Sequence, residues 1–314
     1  MKNIDIHADD YALTVNTSKD MLECMKAGKL NSISIVPNTS VFEECMGLLY
    51  QEIPTLPFLP LMSVHLDFVE GYCLAGKEKA PLLVRKNSDL MGLSWGGVFQ
   101  YSYIPWKRNQ AKTQLKAEIK EQIAKVQQAA ARCIAIAKEN QVPCEQKGLR
   151  IDSHQHAHMI PVVWDALLEV LKEENYPVEY IRNSKEVLWA FVSEVSLWKS
   201  YRPVNFVKNR LLSLYSHKVD RYYQEHRMEQ MYLWGLVMSG NMDEDRIRQL
   251  YGKVSGKAQK DNRRLEILFH PGLTLPAEVN EEIGKEAAEE FYLSKGRKTE
   301  YQAVMNLTFP LEEK

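Results

Sequence analysis

Short runs of β-branched and apolar residues punctuate this chain, usually with helical stretches between them, and that alternation constrains the fold more than any other feature. NIDIHADD (3–10) reads as a first strand ending in two acids, followed by a helix over 17–27 that Gly28 stops. SISIVPN (32–38) and PLMSVHLDF (60–68) read as the second and third strands, with an apolar-periodic helix from about 41 to 51 between them. Leu115, Ile119, Ile123, Val126, Cys133 and Ala137 mark a long helix over about 111–139. LRIDSHQH (149–156) is the fourth strand, then come a helix at 161–174 and PVEYIRN (177–183) as the fifth. YLWGLVMSG (232–240) and LEILFHPG (265–272) read as strands six and seven, and a polar helical tail closes the chain. Strands alternating with helices imply a mostly parallel sheet, open or closed into a barrel.

Two segments break the pattern. Residues 69–110 dissolve into Gly, Trp, Tyr and Pro, too long for a plain connector, and such loops are usually lids or binding loops. The stretch 190–230 is aromatic and basic and reads as an insertion with some helix. With no repeat or interdomain linker, one domain over 1–314 is the simplest organisation. Lys+Arg of 40 against Asp+Glu of 41 favours neither nucleic acid nor an anionic membrane. No apolar run approaches the roughly 18 residues that span a bilayer. Five scattered cysteines without a CxxC pair fit a reduced, cytoplasmic setting.

The chemistry-bearing residues gather at strand ends. Asp9 and Asp10 end the first strand, His65 lies late in the third, DSHQHAH (152–158) ends the fourth and His270 ends the seventh. In parallel α/β architectures those ends share one rim, where ligands bind. Taken singly, the acids read equally as helix caps, His65 as a core histidine and His270 as turn chemistry. Four ionisable groups at alternate positions of 152–158 are harder to place in a core, because burying them without partners is costly. If that segment is extended, Asp152, His154, His156 and His158 share a face, neighbours roughly 6.6–6.8 Å apart. A metal–nitrogen bond of about 2.0–2.1 Å then lets one ion take one of these histidines, or two with bending. The remaining ligands must come from elsewhere. His7, His217 and His226 are assigned no role.

HADDYALT (7–14), VHLDF (64–68), DSHQHAHMIP (152–161) and FHPG (269–272) together resemble the YdjC-like carbohydrate deacetylases, among them chitooligosaccharide and hopanoid-biosynthesis deacetylases. NSISIVPN (31–38) is similar to that family's second strand. The sequence departs from the family at Tyr11-Ala12, where Phe-Gly is usual, and at Ser63, where Gly is common. The resemblance implies an α/β fold, an irregular (β/α) barrel of about seven mostly parallel strands, like the polysaccharide deacetylases. It also implies one divalent metal ion on Asp10, His65 and His154, magnesium by family habit, with zinc or another transition metal compatible with the donors. Asp9 would be the catalytic base and His270 an acid or oxyanion partner, with Asp152, His156 and His158 behind the ligands. Trp95 and Asn38 are assigned to substrate contact.

The implied reaction is hydrolysis of an N-acetyl group from an amino sugar or short N-acetylated oligosaccharide. The alternatives are another metal hydrolase, of amidohydrolase or phosphoesterase type, and a sugar-binding protein with a dead site. The expected partner is a small carbohydrate, with neither nucleic acid nor membrane, and a homodimer is the oligomer allowed for.

Overall fold

Alternation in the first strand sets the architecture. Extended backbone sends Ile4, Ile6 and Ala8 to one side and Asp5, His7 and Asp9 to the other. A computed structural model describes residues 4–201, 203–284 and 288–311. In it β1 (Ile4–Tyr11) lies within a seven-stranded sheet with β2 (Ser32–Ile35), β3 (Leu61–Leu66), β4 (Leu149–Ser153), β5 (Val178–Ile181), β6 (Met231–Trp234) and β7 (Arg264–Phe269). The order is β5-β4-β3-β2-β1-β7-β6, and every pairing is parallel. The sheet curls into a half-barrel. One parallel bridge, Glu186 to Leu233, crosses the gap beyond β5 and β6.

The convex face carries the core. Ile6, Ala8, Ile33, Ile35, Val64, Ile151, Ile267 and Phe269 are buried there. Helices flank the sheet: α1 (Val15–Lys26), α2 (Phe42–Glu52), α3 (Trp95–Gln100), α4 (Pro105–Glu139), α5 (Pro161–Glu173), α6 (Leu188–Val192), α7 (Pro203–Glu225), α8 (Glu244–Lys260) and a final helix, Lys295–Asn306. Each large aliphatic side chain so buried contributes about 1.5–3 kcal/mol. None of the described helices is long and apolar enough to cross a membrane.

The concave face is polar instead. Asp5, His7, Asp9, Ser32, Ser34, His65, Arg150, Asp152, Arg182 and Glu266 are all buried inside the curl. Charges there persist only if paired. Arg150 Nη2 donates to Asp5 at 3.1 Å, and Arg264 Nη2 donates to the same carboxylate at 2.5 Å. Arg182 donates to Glu266 at 2.7 Å and to Asp9 above it. A column of ion pairs thus rises through the half-barrel toward the C-terminal ends of the strands.

Several boundaries differ from the sequence reading, three of them for a plain physical reason. The long helix starts at Pro105 rather than near 111, because proline at the first helical position has its φ preset and no N–H to leave orphaned. Strand six stops at Trp234 instead of running to 240. Gly235 turns the chain there at φ +140°, where a Cβ would sit 2.4 Å from the Leu268 carbonyl oxygen. The Glu186 carboxylate gathers the N–H groups of Gly235, Leu236 and Val237, which fixes that turn. Strand four ends at Ser153, and the histidine run beyond it is not extended at all.

Candidate active site

Two consecutive acids of a strand point to opposite faces, so both can reach one rim only if the backbone between them leaves regular strand geometry. The β1–β2 register shifts between Ala8 and Tyr11, and Asp10 takes a left-handed φ of +73°. Asp is among the few non-glycine residues that tolerate this, and such strain collects at functional sites. Asp9 keeps strand geometry and points inward with His7, whose Nε2 lies 3.2 Å from Asp9 Oδ1. Asp10 turns toward His65 and His154.

That turn brings three potential ligand atoms together. Asp10 Oδ1 lies 3.5 Å from His65 Nε2 and 3.4 Å from His154 Nδ1. It is buried without a hydrogen-bond partner among the described residues. Two donors each about 2.1 Å from a shared ion at a tetrahedral angle sit about 3.4 Å apart, so the spacing fits. The far side of each ligand is tied down. His65 Nδ1 donates to Asp152 Oδ1 at 2.6 Å. The Tyr292 hydroxyl donates to Glu70 at 2.6 Å and so accepts from His154 Nε2 at 3.0 Å. In the neutral imidazoles, both nitrogens facing Asp10 Oδ1 are therefore the lone-pair nitrogens.

A second trio, His7, Asp9 and Asp152, also has ligand atoms close together. Its atoms are already spent. His7 bonds Ser32 and Ser34 at 2.7 and 2.6 Å, the Arg182 fork takes both Asp9 oxygens at 2.8 Å, and His65, Ser34 and Arg182 surround Asp152. The Asp10–His65–His154 set is the one with capacity left.

The electrostatics agree. Burial alone would raise the Asp10 and Asp9 carboxyls, but Arg297 beside Asp10 and Arg182 beside Asp9, with the neighbouring histidines, hold both well below the usual range. Burial alone would lower His65, yet Asp9, Asp10 and Asp152 outweigh it and push the imidazole up to about 10. An excess of carboxylate around one imidazolium is a place where a divalent ion displaces a proton.

His270 follows β7 onto the same rim, its Nε2 4.0 Å from Asp9 Oδ2. Its Nδ1 faces Glu300 Oε2 at 3.4 Å, and its backbone N–H donates to the same oxygen at 2.5 Å. Glu300 lies on the final helix, and so does Arg297, whose guanidinium donates to Asp10 Oδ2.

The histidine run needs correcting. Left-handed Gln155 and His156 (φ +52° and +59°) curl residues 154–159 into a tight turn, so Asp152, His154, His156 and His158 do not share a face. His154 alone of the three joins the rim trio. His156 Nδ1 meets the Ser184 hydroxyl at 2.9 Å, and His158 braces Ser153 and the Arg182 carbonyl at 2.6 and 2.8 Å. Asn38 is not among the residues that line the rim pocket; its amide donates to the Glu70 carbonyl at 2.8 Å, and Gly71 (φ +71°) packs against it. Trp95 does line the pocket, a cavity of about 460 Å³ floored by Asp9, Asp10, His65, His154 and His270. It stacks on Phe99 at 5.2 Å, and its Nε1 has no hydrogen-bond partner among the described residues.

The sequence reading missed His7, Arg182, Tyr292, Arg297 and Glu300. His7 and Arg182 carried a signal, each sitting two residues from another inward-facing group (Asp9, Tyr180) in an extended run. The other three carried none.

His158 makes one prediction. Burial pushes its imidazole down to about 4, so the fold holds the neutral form. A folded pKa below the unfolded 6.5 gives stability that is whole above pH 6.5 and is lost as pH falls toward 4. The loss amounts to roughly 3 kcal/mol. Denaturant titrations of wild type and His158→Gln should show a stability gap that is widest at pH 7.5 and narrows by about that amount at pH 4. A gap independent of pH would mean His158 is not held neutral.

A parallel half-barrel with acids and imidazoles on its C-terminal rim places the chain among α/β-barrel proteins with a rim site. The chain belongs to the YdjC-like protein family, whose model matches residues 3–134 and 148–310. It is 29% identical over 187 residues to a carbohydrate deacetylase of Thermoanaerobacter pseudethanolicus (strain ATCC 33223 / 39E). That match takes in 59% of this chain and 63% of the relative's length. The crystal structure of a candidate cellobiose-phosphate cleavage protein from Enterococcus faecalis V583 shares the fold, with a TM-score of 0.58 at 18% identity. The overlap covers 96% of this chain and 90% of that one.

Proposed function

We propose that the chain is a divalent-metal-dependent hydrolase that removes an N-acetyl group from an amino sugar or a short N-acetylated oligosaccharide. The observation that carries this reading is Asp10 Oδ1, a buried carboxylate oxygen with no hydrogen-bond partner among the described residues, facing His65 Nε2 and His154 Nδ1. Family membership and the deacetylase relative support the acyl substrate. A bound ion would polarise the acyl carbonyl and acidify a water.

The chain's own groups divide the proton work. Asp9, kept ionised by the Arg182 fork, accepts the water's proton. That grip makes Asp9 a weak base, and a weak base needs an acidic water. His270, oriented by Glu300, delivers a proton to the departing amine. The half-buried Trp95 offers its face to the apolar side of a sugar ring.

The test is acetate release from N-acetylglucosamine and its oligosaccharides after loading with magnesium, manganese, cobalt or zinc, beside phosphate release from aryl phosphates. Acetate with at least one ion is expected. Phosphate alone would favour a phosphoesterase, and no product from any sugar would overturn the assignment. Trp95→Ala should raise KM roughly 2–10-fold, the worth of one aromatic contact, with ion content unchanged. An unaltered KM would remove Trp95 from the sugar site.

A further inference from the structure

Arg297 reaches the rim from the far end of the chain, 287 residues from the acid it touches. It is 5% exposed, lies on the final helix and holds its guanidinium 4.8 Å from the centre of the Tyr292 ring. Tyr292 in turn holds His154. One guanidinium–phenol unit therefore touches the outer side of two of the three candidate ligands. Its contact with Asp10 is selective, because Nη2 donates to Oδ2 while Oδ1 keeps no partner.

A carboxylate can offer a cation one oxygen or two. Asp10 sits on strained left-handed backbone, and nothing else hydrogen-bonds to its carboxylate among the described residues. We infer that Arg297 is a positioning residue for the cation site: by occupying Oδ2 it presents Asp10 as a ligand through Oδ1 alone. The inference rests on the proposed site being a cation site. It was not readable from the sequence, where SKGR (294–297) lies in an unremarkable polar tail.

The sign of the effect makes the role testable. If Arg297 were only a counter-charge near the ion, removing it would strengthen cation binding, since a positive neighbour repels a cation. If it positions Asp10, removal weakens binding despite the lost repulsion, because the carboxylate is free to swing off the orientation that aims Oδ1 at the two imidazoles, and binding must then restore it.

The experiment titrates Co²⁺ into metal-free wild type, Arg297→Gln and Arg297→Lys, following affinity by calorimetry and coordination by the visible spectrum. Thermal unfolding of each variant verifies the fold. Arg297→Gln should bind Co²⁺ roughly 10–100-fold more weakly, the usual worth of an outer partner, with an altered absorption band. Arg297→Lys, which keeps a donor and the charge, should recover part of the affinity and move the band back. If Arg297→Gln fails to fold, the Lys variant decides, since a shortened donor still perturbs the band if Oδ2 is its target. Equal or tighter binding with an unchanged spectrum would overturn the inference while leaving the metal site standing. Failure of wild type to bind Co²⁺ would instead overturn the site itself.

Discussion

Replacing His154 with alanine is expected to strip the chain of stoichiometric divalent metal, whereas His158→Gln should keep it. Both residues come from one five-residue run, so the contrast is a test of the turn rather than of composition. His154 directs Nδ1 at Asp10 Oδ1 from 3.4 Å, while both nitrogens of His158 are engaged by Ser153 and the Arg182 carbonyl. Removing one donor of three should cost more than removing a support behind a donor. Asp152→Asn, which loosens His65 through the 2.6 Å bond at Nδ1, should therefore fall between them, at roughly 10–100-fold weaker binding. Elemental analysis after dialysis, with circular dichroism to verify folding, reads all three variants. Equal metal loss in the His154 and His158 variants would mean the wrong histidine has been taken from the cluster.

Why the sequence located this site better than it described it follows from what each signal measures. Asp9, His65 and His270 were legible because period-2 alternation and strand-end position fix both face and height in a parallel sheet, whereas alternation alone would send Asp10 to the opposite face and only its left-handed backbone turns it to the rim. The histidine run misled, because polar alternation at a strand end looks the same whether the backbone continues or curls. The two left-handed residues, Gln155 and His156, are neither glycine nor asparagine and gave no turn signal. Arg297 and Glu300 were invisible for another reason. On the final helix they are two charged residues at i,i+3 in a polar stretch, which normally means a solvated face. Only the docking of that helix beside the acids makes them interior.

The half-barrel shows the same division. Convex-face residues announced themselves by hydrophobicity. The concave face reads as polar on most strands, which in isolation suggests solvent. Curling the sheet turns that face inward, and the polar residues survive there because each arginine finds an acid: Arg150 with Asp5, Arg182 with Asp9 and Glu266. Such pairings join strands far apart in sequence, so no local pattern foretells them. They also bear on what any change at the rim will do.

Asp9→Asn should cut kcat by roughly 10²–10⁴, the usual contribution of a positioned base, with the ion still bound. The carboxamide cannot take a proton at neutral pH. The substitution also reaches below the rim, because Arg182 Nη1 and Nη2 each donate to one Asp9 oxygen at 2.8 Å. An amide NH₂ would face one of those donors, and breaking a buried pair on one side costs about 3–5 kcal/mol. A lost fold would then mimic a lost base. Asp9→Ala separates the two, since it leaves a gap opening on the pocket, where Asp9 forms part of the wall. Formate added to the metal-loaded alanine variant should restore part of the turnover, because a small carboxylate can sit in that gap, meet the Arg182 fork and accept the proton. Chloride at the same ionic strength should not. Recovery with formate at constant metal content, in a variant already folded before formate is added, would identify the missing group as a base. Near wild-type turnover in the untreated, folded Asn variant would make Asp9 a structural anchor for Arg182 and send the search for the base elsewhere on the rim.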